Sequence, residues 1–136
     1  MKIRTDFVTN SSSTSFIIIA KGEFNRQDFM KLMGATEQSP FAFIFESLFD
    51  SLYYSMSPLE EDLERYYGVT TNWIQFLEEK FSQEVARRVI EAKEQGSYVY
   101  TGRLSSEENE IESFFCCDSF EVEDERIFFN AIECGW

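Results

Sequence analysis

Five hydroxyl residues stand together, Ser11-Ser12-Ser13-Thr14-Ser15, directly before the most apolar run of the chain, residues 16–20 (Phe-Ile-Ile-Ile-Ala). Hydroxyls and backbone N–H groups just ahead of a strand can cradle a phosphate. This stretch lacks the glycines and the lysine of a P-loop, and it precedes a strand-like segment rather than a helix. Three readings stay open: a ligand cradle, a weakly ordered arm, and a segment at an exposed terminus that another protein reads. On the last reading the binding residues are Asn10, Ser11, Ser12, Ser13 and Ser15. No residue qualifies as catalytic.

The cysteines offer less. Cys116 and Cys117 are adjacent and Cys134 is the third. Zinc sites want four ligands with a two-to-four-residue spacer between cysteines, so no metal site is expected. Acidic neighbours raise a thiol pKa, the wrong direction for a nucleophile, so packing is the expected role. Residues 107–126 hold nine carboxylates and one cation, without the Asp/Asn alternation, glycine and closing Glu of a calcium loop. Helix N-terminal electrostatics account for Glu107, Glu108 and Glu110, and a strand's solvent face for Glu121 and Glu123.

Histidine is absent, which removes the Ser-His-Asp triad, the Cys-His pair and the usual general base near neutral pH. The formal net charge is −13 over 136 residues. Nucleic-acid affinity rests on cations that neutralise phosphates, so no nucleic-acid partner is expected, and no anionic membrane. An acidic surface suits a basic protein partner. Lys2 and Arg4 are followed by polar residues rather than by the apolar segment of a signal peptide, and residues 16–20 are too short to span a bilayer. A cytoplasmic location is the expectation. No cofactor is implied.

The stretch Lys2-Ile3-Arg4-Thr5-Asp6-Phe7-Val8-Thr9-Asn10-Ser11-Ser12-Ser13-Thr14-Ser15-Phe16 resembles the opening of a broad group of small, uncharacterised microbial and phage-type proteins. These begin Lys-Ile-Arg, then Phe-Val-(Ser/Thr)-Asn-Ser-Ser-Ser-(Ser/Thr)-Ser-Phe. The resemblance covers Lys2 to Phe16 and implies no particular activity.

The remaining chain supplies the elements that must position these residues. Fifteen Phe and 43% hydrophobic residues are ample for one core. Residues 16–20, with three consecutive β-branched Ile, suit a central strand covered on both faces. Asn25 as N-cap, Phe24 and Phe29 as a hydrophobic staple and Gly34 as the stop predict a helix over 26–33. Ser39-Pro40 opens a second helix to about residue 54, whose Phe41, Phe43, Ile44, Phe45, Leu48, Phe49 and Leu52 wrap most of its circumference. That helix is buried on several sides or forms a homodimer interface. Ser57-Pro58-Leu59-Glu60 reads as a capping box before a third helix ended by Gly68. Asn72 starts the longest helix, to about residue 94, with Trp73, Leu77, Phe81, Val85 and Val89 at four-residue spacing and Gly96 as its stop. Residues 98–101 have strand chemistry, Ser105-Ser106 begins another helix, and residues 120–122 and 127–132 form a hairpin.

The sum is an α+β fold, a small mixed sheet with about five helices in the order β-α-α-α-α-β-α-β-β, with an arm over 1–14 and one globular domain over 15–136. A non-catalytic binding or regulatory module with a protein partner, or a homodimer, fits this chemistry best. The alternatives are a small hydrolase or transferase that uses the serine loop and carboxylates, and an acidic nucleic-acid mimic.

Overall fold

The computed structural model describes residues 13–36, 38–68, 71–105, 110–116 and 119–135, without the side chains of 113, 114 and 133–135. Strand β1 (Ser13–Ala20) lies at the centre of a five-stranded sheet. Helices α1 (Arg26–Leu32) and α2 (Ala42–Ser55) follow, then β2 (Ser57–Pro58), α3 (Leu59–Arg65), α4 (Trp73–Lys80) and α5 (Gln83–Glu94). Strand β3 (Tyr98–Ser105), helix α6 (Glu110–Phe115) and the hairpin of β4 (Phe120–Glu123) and β5 (Ile127–Gly135) complete the α+β chain. The strand order is β2-β3-β1-β5-β4. Every described ladder is antiparallel, where the sequence predicts a mixed sheet.

The alternation of β1 divides the core. Phe16 and Ile18 face one layer, where α1, α2 and α6 supply Phe29, Leu48, Phe49, Leu52 and Ile111. Ile17 and Ile19 face the other, where α3, α4 and α5 supply Leu59, Leu63, Leu77, Val85 and Val89. An all-buried strand between two helical layers explains the continuous apolar run. The first layer is aromatic: Phe29 sits 6.1 Å from Phe129 and 5.8 Å from Phe49 between ring centroids.

Several local signals act as their chemistry dictates. Asn25 Oδ1 accepts from the Asp28 amide at 2.8 Å, and the Phe24 and Phe29 rings meet edge-on at 5.8 Å. Gly34 and Gly96 take positive φ (74° and 77°) just past α1 and α5, where a side chain would be strained.

Other elements differ from expectation, each for a physical reason. Helix α2 starts at Ala42 rather than after Ser39, and its cap residue Phe41 makes no side-chain cap bond. The Ser39 hydroxyl instead accepts from the Phe41 amide at 3.3 Å, closing a turn before the helix. Ser57 and Pro58 form a two-residue bridge with Thr101 and Tyr100 of β3, so α3 begins at Leu59 without a capping box. The expected long helix is two, because Ser82 takes an extended backbone and its hydroxyl accepts from the Val85 amide at 3.1 Å. This raises the helix count to six among the described residues. Strand β3 runs four residues beyond the expected 98–101, and β1 takes in Ser13 and Thr14, since β3 and β5 both extend to pair with them.

Candidate functional site

The polar end of the sheet gathers the chemistry. Along the face that carries Ile17 and Ile19, the strand neighbours change from apolar to polar: Ser15 pairs with Arg103, and Ile17 with Thr101 and Asn130. Above them α3 delivers Asp62, which is only 5% exposed. Its carboxylate accepts from Arg103 Nη2 at 2.7 Å, Arg103 Nη1 at 3.1 Å and the Thr101 hydroxyl at 2.6 Å. Arg103 Nη1 also donates to the Tyr67 hydroxyl at 3.2 Å, and the guanidinium lies 3.5 Å from the Tyr66 ring centroid. Burial pulls against the charge on Arg103, but the hydrogen bonds and charge of Asp62 outweigh it and raise the guanidinium pKa further. The pair is bidentate and is braced by further hydrogen bonds from Thr101 to Asp62 and from Arg103 to Tyr67, the condition under which a buried ion pair is tolerated.

A cleft of about 800 Å³ opens beside this network. One wall is α2, with Ser47, Asp50, Ser51, Tyr54 and Ser55. The floor is Arg103, Leu104 and Ser105 of β3 with Ser13 of β1, and the rims are Tyr66 and Glu112. Helical geometry puts Ser47, Asp50, Ser51 and Tyr54 on one wall, because residues three, four and seven apart share a face.

Behind this surface the polar groups hold the fold together. The Ser55 hydroxyl accepts from the Arg103 amide at 3.0 Å and donates to its carbonyl at 2.5 Å, sealing the outer edge of β3 beyond the β2 bridge. A Glu112 carboxylate oxygen accepts from the Ser105 amide at 2.9 Å. Gly102 stands where the chains are closest: a Cβ there would lie 2.6 Å from the Phe16 ring and 2.9 Å from the Ser55 carbonyl. Asp50 pairs with Arg26 at 2.8 Å. The tyrosines are different. Tyr54 is 93% exposed and Tyr66 60%, although both sit on or beside ordered helices.

Of the binding residues named from sequence, Ser13 lines this cleft. Ser15 lies inside the sheet at 2% exposure, between Arg103 and Ile132. Asn10, Ser11 and Ser12 lie outside the described residues. Cys116 is buried in the aromatic layer, whereas Cys117 and the side chain of Cys134 lie outside the described residues. Sequence reasoning missed Asp62, Arg103, Tyr54 and Tyr66. Asp62 and Arg103 are 41 residues apart and meet only through the fold. Tyr54 could have been found, since it follows Ser47 and Ser51 at spacings of seven and three residues on one polar helical face.

Among the described residues no group of three or more cysteine or carboxylate side chains is placed to hold a metal ion. No described helix is long and apolar enough to cross a membrane. Comparison with protein-family models, curated proteins and solved structures finds no match to this chain.

Proposed function

We propose that this chain is a non-catalytic protein-binding module, and that its cleft receives a lysine- or arginine-bearing segment of a partner protein. The observation that carries this reading is the 93% exposure of Tyr54 on the α2 wall of the cleft. Single exposed apolar residues are ordinary, but an aromatic pair flanking a concave surface is the composition of a recognition site. The rings also suit a cation. Arg103 already stacks on Tyr66 from within the fold, and the ring remains largely open to solvent. The net charge of −13 favours a basic partner over an acidic one.

Catalysis draws less support, because the Ser55 hydroxyl is engaged by backbone on both sides and Asp62 is engaged by Arg103 and Thr101. The mimic reading needs carboxylates free on one face. Here Glu84 and Glu91 pair with Arg87, Glu61 with Arg65, Glu60 with Lys93, and Glu125 with Lys31, on several sides of the molecule.

The test is fluorescence anisotropy with a labelled arginine- and lysine-rich decapeptide, its acidic counterpart and a neutral one. The basic peptide should bind preferentially, more weakly as salt rises, and about 10-fold more weakly to Tyr54→Ala at an unchanged melting temperature. Equal binding of all three peptides, or full affinity in Tyr54→Ala, would remove the reading.

A further inference from the structure

The polar end of β1 is also where the preceding chain joins the fold. Ser13 opens the strand and lines the floor of the cleft, and from there the strand runs to Ala20 at the other end of the sheet. Residue 12 is therefore attached at the cleft floor itself. Residues 1–12 lie outside the described residues, and their sequence carries Lys2 and Arg4 against one acid, Asp6. In a chain of 25 acidic and 12 basic residues, that is a cationic segment tied to an acidic body.

We infer that this segment is the cleft's own occupant: Lys2 and Arg4 engage the Tyr54 and Tyr66 rings of the same chain, and a partner's basic segment binds by displacing them. The inference rests on the reading of the cleft as a site for lysine- and arginine-bearing segments. Three observations select residues 1–12. The first is attachment combined with charge. The other undescribed segment that adjoins a lining residue, 106–109 after Ser105, carries Glu107 and Glu108 and no cation. The second is reach. The nine residue steps from Arg4 to Ser13 span up to roughly 30 Å, which covers every part of a cleft of about 800 Å³. The third is chemistry, because a guanidinium or ammonium is attracted to the face of a tyrosine ring, and both rings are largely exposed.

Tethering sets the strength. A short tether holds its end near its target at an effective concentration in the millimolar range, so a contact too weak to form between separate molecules can fill the cleft for much of the time. A competing peptide then binds only the unfilled fraction of molecules, and its apparent affinity falls by that fraction. Contact between two copies would need millimolar protein to match it, which favours the chain's own segment over a neighbour's.

The experiment uses the full chain as wild type and as the double variant Lys2→Gln with Arg4→Gln, each with and without Tyr54→Ala, and melting curves check that all four fold. Amide chemical shifts are compared without ligand, and the labelled arginine- and lysine-rich decapeptide is titrated by anisotropy. Neutralising the two cations should move the amides of Ser51, Tyr54, Tyr66 and Arg103, equally at protein concentrations from about 50 to 500 µM. It should also tighten peptide binding about 3- to 10-fold, the fraction of the cleft set free. In the Tyr54→Ala background the same pair of substitutions should change the affinity by less than about 2-fold. A gain that persists there would be the general effect of removing two positive charges, and would overturn the inference. Unmoved cleft amides with equal peptide affinity for wild type and double variant would also overturn it, while leaving the cleft as a site for a basic partner. Cleft amides that move although the peptide binds neither form would support the tethered contact and remove the partner reading. Shifts that grow with protein concentration would place one copy's segment in another copy's cleft, and would overturn the contact within the chain.

Discussion

The two ends of β1 are built on different terms. Toward Ala20 the strand is apolar on both sides, with Phe16 and Ile18 against the aromatic layer and Ile17 and Ile19 against the aliphatic one. Toward Ser13 it buries Thr14 and Ser15, and beside them stand Thr101, Arg103 and Asp62. The apolar end gains stability from burial, at roughly 25 cal/mol for each Å² removed from water. The polar end gains little net stability, because each ion pair or hydrogen bond replaces one with water. What it contributes is position: it fixes Tyr66, the β3 edge and the end of α2 around a cleft. One strand thus serves as a core element at one end and as part of the floor of a cleft at the other.

The comparison breaks most readily at the apolar end. Ile18→Asp puts an unpaired charge into a wholly buried apolar layer, at a cost of several kcal/mol. Thermal denaturation followed by circular dichroism should show no cooperative transition. A variant that melts as wild type does would mean that β1 is not central.

The polar end should fail differently. Asp62→Asn leaves the Arg103 guanidinium without its counter-charge, and the expected loss is about 3 kcal/mol, the lower end for a broken buried pair. The lower end applies because 21% of the Arg103 side chain still reaches solvent. The double change Asp62→Leu with Arg103→Met should recover most of the loss in urea titrations, since an apolar pair of similar volume needs no desolvation of charge. If the double variant is as unstable as the single one, the pair holds the fold up rather than shaping the cleft.

Gly102 joins the two ends, because its missing side chain leaves room for both the Phe16 ring and the Ser55 carbonyl. Gly102→Ala should cost about 1–3 kcal/mol, the range for overpacking a close-packed site. A stability equal to wild type in the same titration would show that α2 can move away from β3 freely.

These contacts mark how far the sequence could be read. The cap at Asn25, the stops at Gly34 and Gly96, the central apolar strand and the C-terminal hairpin are local signals, carried by neighbouring residues and obeyed by the fold. The break at Ser82 was readable in part. A stripe repeating every four residues drifts about 40° per step, so from Trp73 to Val89 it turns through roughly 160°, and a single straight helix could not keep it on one sheet. The extension of β3 past Gly102 was hidden, because glycine in a strand reads as a breaker unless the approaching groups are known. The Asp62–Arg103 pair had no local signal at all, and with it went the cleft.

The smallest effect concerns the surface. Burial alone would raise the Glu60 pKa, but its hydrogen bonds to Lys93 and to backbone, with the charge of Lys93, leave it lowered. A carboxylate lowered in the fold adds stability above its unfolded pKa, about 4.3, and that contribution disappears as pH falls through the folded value. Glu60 is 63% exposed, so solvent screening limits the pair to about 0.5 kcal/mol or less. Lys93→Met should therefore melt slightly below wild type at pH 7, with the gap closing as the medium is acidified through the folded pKa of Glu60. A gap that widens on acidification would reverse the sign of this linkage.

The most direct test maps where the basic decapeptide touches the protein, by amide chemical-shift changes during a titration. Shifts should gather at Ser47, Ser51, Tyr54, Tyr66 and residues 103–105, while the amides around Arg88, Gln95 and Ser97, at the Ala20 end of the sheet, stay still. Shifts centred on that other end, or spread evenly over the acidic surface, would contradict the claim that the polar end of the sheet is built for recognition.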